Sequence, residues 1–276
     1  MKTVEAHGVT IPALGLGTWE LRGEQCRELV KAALDLGYRH VDTAQMYANE
    51  REVGEGVRAS GLHRDDVFLT TKIWPDCHAA DDFARAVDER LEQLDCGPVD
   101  LLLLHWPSRT VPLSETVAAL NKARERGLAR HIGISNFTVA QIREAVALSD
   151  APLICNQVEF HPLINQDKVH AACRAAGMAL TAYCPIARNR VADEPLMQDI
   201  ASRHGVSPAD ITIAWHMALG DVIAIPRSSK PERLASNLAA AQLQLAADEI
   251  AAISALKSRH MRVCEPESVA PVWDQP

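Results

Sequence analysis

Val99-Asp100-Leu101-Leu102-Leu103-Leu104-His105 is an apolar run that stops on an ionisable residue. It fits a short buried strand and is far too short to span a bilayer. The pattern recurs along the chain. Strand candidates are Leu14–Gly17, Arg39–Asp42, Val67–Lys72, Asp100–His105, Ala129–Ile134, Ile154–Gln157, Ala179–Tyr183 and Val222–Ile225. Segments of helical period separate them, at residues 24–36, 50–60, 79–95, 114–126, 138–148, 167–176, 194–218 and 231–240. The seventh breaks near Ser207-Pro208, and a further helix near 247–257 precedes a tail. Ser207-Pro-Ala-Asp reads as a cap before a helical proline, and Thr138 or Asn136 can cap the fifth helix.

Eight strand–helix units without a linker or composition break predict a (β/α)8 TIM barrel, one domain over residues 1–276. A short β-hairpin turning near Gly8 precedes it. A doubly wound open sheet is the competing architecture, but no G-x-G-x-x-G follows an early strand.

The chain is 47% hydrophobic and 23% charged, the composition of an ordinary globular protein. Its net charge of -8 argues against nucleic acid as a partner. Seven dispersed cysteines, none in a C-x-x-C, fit reduced thiols better than a disulfide framework. The opening MKTVEAHGVTIPAL lacks the apolar region of a signal peptide, so the expectation is a cytoplasmic protein with no membrane partner.

In a barrel of this type the active site forms at the C-terminal ends of the strands. Those ends carry Asp42, Lys72, His105, Asn156, Gln157 and Tyr183, with Tyr47 in the second βα loop. Each has an ordinary structural reading: an aspartate caps a helix, a tyrosine packs, a lysine is solvated, a histidine bonds the backbone. As a set they suit carbonyl reduction, which needs a hydride donor and an acid for the developing alkoxide. Tyr47 can be that acid. A neighbouring Lys72 ammonium would lower its pKa, Asp42 would hold the lysine, and His105 would hydrogen-bond the same oxygen.

These residues resemble the aldo-keto reductases. Leu14-Gly-Leu-Gly-Thr18, Gly37-Tyr-Arg-His-Val-Asp-Thr-Ala-Gln-Met-Tyr47, Asn49-Glu50 and Val53-Gly54 are similar to that family's first signature. Phe68-Leu-Thr-Thr-Lys-Ile-Trp74 and Val99–Pro107 resemble its lysine and histidine segments. Gly133-Ile-Ser-Asn-Phe137, Asn156-Gln157 and the stretch from Ile225 to Asn237 follow in family order. The resemblance implies a catalytic tetrad of Asp42, Tyr47, Lys72 and His105. It implies that Ser135, Asn136 and Gln157 bind the nicotinamide carboxamide and that Tyr183 stacks on its ring, with Gly17, Thr18 and Pro185 also at the cofactor.

Cofactor choice rests on Arg227, Ser228, Arg233 and Asn237, around a proline-bounded turn that enters a helix. Two arginines there suit a 2′-phosphate, hence NADPH. Arg227 stands where the family often has lysine, and Ser236 where it often has an acidic residue. Cys184 and Ile186-Ala187 also depart from the usual Ser-Pro-Leu-Gly pattern.

Short loops, Asp42-Thr-Ala-Gln45 and the tail Pro271-Val-Trp273-Asp274 are most similar to bacterial 2,5-diketo-D-gluconate reductases of the B type. That implies a small-molecule carbonyl substrate: a dicarbonyl such as methylglyoxal, a keto-sugar acid, or a reactive aldehyde. Trp19, Trp74 and Trp106 are expected to line an apolar pocket, with Trp273 either folded over the mouth or mobile. Family habit implies a monomer. A cofactor-sensing protein on the same fold and a metal-dependent barrel hydrolase are the alternatives. Lys72 would repel the hydrolase's cation.

Overall fold

The computed structural model describes residues 2–275; Met1 and Pro276, the ends of the expected domain, lie outside them. Strands β1 (Thr3–Ala6) and β2 (Val9–Pro12) form an antiparallel hairpin with Ala6 opposite Val9. Its two turn residues, His7 and Gly8, have φ of 50° and 79°, the doubly positive geometry that matches the twist of paired strands.

Eight parallel strands follow: β3 (Leu16–Gly17), β4 (His40–Asp42), β5 (Phe68–Ile73), β6 (Val99–Leu104), β7 (Ala129–Ser135), β8 (Leu153–Glu159), β9 (Ala179–Tyr183) and β10 (Val222–Ala224). Each pairs with its neighbour in chain order. Parallel bridges Leu14–Ala224 and Gly17–Arg227 join the first strand to the last and close the barrel. Along this seam Gly15 N–H donates to Ala224 O at 2.9 Å, and Gly17 N–H to Pro226 O at 3.1 Å. A Cβ on Gly17 would stand 2.7 Å from Ile225 O, so the closure requires glycine. Isolated bridges replace a regular ladder here, which shortens the first strand from the expected Leu14–Gly17 to two residues. In contrast, β8 runs two residues beyond Gln157, to Glu159.

The intervening helices are α1 (Gly23–Leu36), α2 (Glu50–Ala59), α3 (Ala80–Leu94), α4 (Leu113–Glu125), α5 (Val139–Leu148) and α6 (Asp167–Ala175). After β9 the expected break appears as α7 (Pro195–His204) and α8 (Pro208–Leu219), followed beyond β10 by α9 (Pro231–Ala240) and α10 (Ala247–Ala255). Ser207 caps α8 reciprocally with Asp210. Thr138 caps α5 with Gln141, so Asn136, the other candidate cap, is not used that way.

Every residue of β5 and β6 is buried, because helices cover the barrel outside and side chains fill it inside. Among the described residues no helix is long and apolar enough to cross a membrane. α2 meets the end of α3 tightly at Gly54, where a Cβ would fall 1.8 Å from Leu94 O. Gly54→Ala therefore forces two backbones apart. We expect it to cost about 1–3 kcal/mol or more, read as a lowered urea midpoint; an unchanged midpoint would contradict the close approach.

Candidate active site

Lys72, the fifth residue of β5, is fully buried, and its ammonium is the centre of the site. Lys72 Nζ donates to Asp42 Oδ1 at 2.5 Å, to Thr43 O at 2.9 Å and to the Tyr47 hydroxyl at 3.4 Å. Asp42 ends β4, and its second oxygen accepts from Gln157 Nε2 at 2.7 Å. Tyr47 closes a short 3-10 turn, Gln45–Tyr47. His105 follows β6 directly, with its ring edge-on to Tyr47 (5.8 Å between centroids) and to Trp74 (5.2 Å). The four tetrad residues expected from sequence thus converge at the C-terminal end of adjacent strands.

Burial sets the protonation states. It pushes the Tyr47 phenol up, and the opposing pull of Lys72 does not reverse this, while Asp42 adds to the rise. As expected from the motif, Lys72 pulls this pKa down, but dryness outweighs the ammonium and the phenol keeps its proton. Burial also acts to lower Lys72, yet Asp42 and Tyr47 carry it above the ordinary amine value, so it stays charged. His105 falls well below the ordinary 6.5 through burial and then the Lys72 charge. Its imidazole is neutral, and Nδ1 is buried without a hydrogen-bond partner among the described residues.

The four residues expected at the nicotinamide form one connected group on β7, β8 and β9. Tyr183 donates its hydroxyl proton to Asn136 Oδ1 at 2.7 Å. Asn136 Nδ2 donates to His105 O and to Ser135 Oγ, at 3.0 and 3.1 Å. Ser135 Oγ donates to Gln157 O at 2.8 Å. Asn136 has φ 66°, which turns its side chain back over the strand end instead of toward α5. The bond from Gln157 to Asp42 was not legible in the motif; it ties this group to the tetrad. Thr18 belongs to the same framework, donating from both N–H and Oγ1 to Asp42 O at 3.0 Å.

Arg227, Ser228, Arg233 and Asn237 all line one cleft of about 210 Å³ beside the barrel mouth. Arg227 and Ser228 precede α9, Arg233 lies in its first turn and Asn237 one turn further on, so backbone N–H groups at the helix start and two guanidiniums suit an anion. Ser228 Oγ bonds within the turn, to Lys230 O and N, and so holds its shape. Arg227 Nε donates to Trp19 O at 3.1 Å across the seam. Sequence reasoning missed Asn189, Ser207 and Asp210 in this lining. Ser207 and Asp210 were read only as a helix cap, and Asn189 (φ 71°) lies in a turn without a motif. Pro185 sits between Tyr183 and Ile186, which borders the cleft.

Trp74 and Trp106 flank His105, and Trp19 packs under the Arg188 guanidinium, 5.3 Å from the ring centre. Trp273 lies on Trp106 (6.1 Å between centroids) beneath Arg262, 3.8 Å away, and donates to Glu265 at 3.0 Å. The tail thus packs on Trp106 through Trp273. Its fastening was not foreseen: the buried Glu159 accepts the N–H groups of Val263 and Cys264 at 2.7 and 2.9 Å.

The family model described as Aldo/keto reductase family matches residues 13–258. Methylglyoxal reductase DkgB of Yersinia pestis is 40% identical over 96% of this chain and all of its own. A crystal structure provisionally assigned as a 2,5-diketo-D-gluconic acid reductase B is 45% identical, with TM-score 0.97 over 100% of this chain and 98% of that one. The Bombyx mori aldo-keto reductase in complex with NADP is 32% identical, with TM-score 0.88 over 96% and 95% of the two chains. A match of this extent, on a barrel that gathers the expected residues, shows that the chain belongs to the aldo/keto reductase family.

Proposed function

We propose that this chain, acting as one domain, reduces aldehydes and ketones to alcohols with NADPH. Small dicarbonyls such as methylglyoxal and keto-sugar acids such as 2,5-diketo-D-gluconate are the proposed substrates. The observation that carries this reading is the buried Lys72 ammonium held between the Asp42 carboxylate and the Tyr47 hydroxyl. Resemblance to methylglyoxal reductase DkgB over nearly the whole chain supports the substrate class.

The residues present fit the cofactor. The phosphate end has two arginines at the cleft, and the other end has an orphaned buried nitrogen on His105, costly unless a ligand meets it. Ser135, Asn136 and Gln157 would hold the carboxamide, Tyr183 the ring face, and Arg227, Ser228, Arg233 and Asn237 the adenosine phosphate, with Gly17, Thr18 and Pro185 along the path between. NADPH supplies the hydride. Tyr47 gives its proton to the carbonyl oxygen as negative charge grows there. Lys72 stabilises the phenolate left behind, and Asp42 with Thr43 O keeps the ammonium aimed at that oxygen. The neutral His105 hydrogen-bonds the same substrate oxygen and orients it. Trp19, Trp74, Trp106 and Trp273 supply an apolar rim suited to a small carbonyl compound.

The test is loss of NADPH absorbance with methylglyoxal, 2,5-diketo-D-gluconate and an aromatic aldehyde, repeated with NADH. Turnover favouring NADPH is expected; tight NADPH binding with no turnover of any of them would instead favour cofactor sensing. Tyr47→Phe should lower kcat by about 10²–10⁴-fold with little change in NADPH affinity. Arg233→Ala should raise KM for NADPH roughly 10-fold or more and leave KM for NADH unchanged. Because His105 is neutral well below 6.5 and Tyr47 keeps its proton above 10.0, the reduction rate should show no inflection near 6.5 and should fall only at high pH. An inflection near 6.5 that vanishes in His105→Asn would contradict these protonation states.

A further inference from the structure

We propose that Cys184 and Cys264 form an oxidisable dithiol, a modification site whose disulfide staples the C-terminal segment to the barrel mouth. Their sulfurs lie 3.1 Å apart although the residues are 80 positions apart in sequence. Closing to a disulfide needs a movement of about 1 Å.

Strand register explains the meeting. Glu159 pairs with Tyr183 at the ends of β8 and β9, so the residue after Tyr183 emerges beside the Glu159 carboxylate. That carboxylate holds the backbone of Val263 and Cys264. One buried acid thus delivers the tail cysteine to the strand-end cysteine. Both are partly exposed thiols. The buried Cys26, Cys155 and Cys173 are pushed up to about 12 by burial, which makes them inert as nucleophiles.

The Arg188 guanidinium lies beside the pair, with Nη2 3.7 Å from Cys264 Sγ. Cys264 hydrogen-bonds Cys184 and holds its pKa below the ordinary thiol value, and Arg188 acts in the same direction. The same bond pushes Cys264 up. Either sulfur of this close pair can attack first; the steps are written with Cys184 as the attacking thiolate and Cys264 as the resolving thiol. With hydrogen peroxide as oxidant, the Cys184 sulfur attacks one peroxide oxygen. A sulfur–oxygen bond forms, the oxygen–oxygen bond breaks, and the departing hydroxide takes a proton to become water. Cys264 then gives up its proton and attacks the Cys184 sulfenic acid. A sulfur–sulfur bond forms, the sulfur–oxygen bond breaks and a second water leaves. Two thiols lose two electrons and one peroxide is reduced to two waters.

Oxidation would make permanent a docking otherwise held by non-covalent contacts. Among these are the Glu159 clamp, Arg109 donating to Ala270 O at 2.6 Å, Val139 N–H donating to Asp274 Oδ2 at 2.9 Å, and Trp273 on Trp106. The thiol state then decides whether the tail can leave the mouth. This inference is independent of the carbonyl substrate.

The full chain is treated with one equivalent of hydrogen peroxide, alkylated and digested with trypsin without reduction. The expected product is peptide 175–188 linked to peptide 263–276, lighter than their sum by two hydrogen atoms, with Cys26, Cys155 and Cys173 unmodified. Tm should rise by roughly 5 °C, reversibly with dithiothreitol, and not in Cys184→Ser or Cys264→Ser. In Cys264→Ser, Cys184 should stop at a sulfenic acid that dimedone traps. Separate peptides, a link between different cysteines, or over-oxidation of Cys184 in the unmutated chain would overturn the proposal.

Discussion

A lysine with no solvent exposure must have its charge answered inside the protein, and in this barrel Asp42 answers it. Removing either partner would leave an uncompensated buried charge, worth about 3–5 kcal/mol. That necessity ties β4 to β5 at one level and fixes the loop that carries Tyr47. Through Gln157 it also ties β4 across the barrel to β8. The same dryness that demands the pair also keeps the Tyr47 proton in place and His105 neutral. One desolvated region therefore holds a protonated phenol, a fixed ammonium and an uncharged imidazole at neighbouring strand ends.

Barrel closure does chemical as well as structural work. Parallel bridges bring Gly17 beside Arg227, and the Arg227 guanidinium then reaches Trp19 O. Residues from the first and last strands thus share one border, and Arg227 on it also lines the cleft. The seam glycine is needed because two backbones approach too closely for a Cβ. A larger residue at position 17 would separate the parts of the site from each other.

The barrel was legible because buried parallel strands read as apolar runs, and the tetrad because ionisable residues such as His105 and Lys72 end those runs. Local capping was also legible, as Ser207 and Thr138 show. What escaped reading depends on the third dimension. No local pattern announces that Gln157 turns to Asp42, that Glu159 reaches two amides near the chain end, or that Cys184 meets Cys264. The net Tyr47 shift escaped reading for the same reason, although the downward pull of Lys72 did not. A charge partner is visible in a motif, whereas the depth of burial that outweighs it is a property of the assembled barrel.

The Glu159 clamp also bears on the order in which the protein is made. Its carboxylate leaves the ribosome more than 100 residues before the amides that satisfy it. During synthesis β8 and β9 can pair while the end of β8 still presents a bare acid to water. This border of the mouth is completed only when residues 263–264 arrive. A nascent barrel is consequently denied this part of its rim until a segment far along the polypeptide has been made.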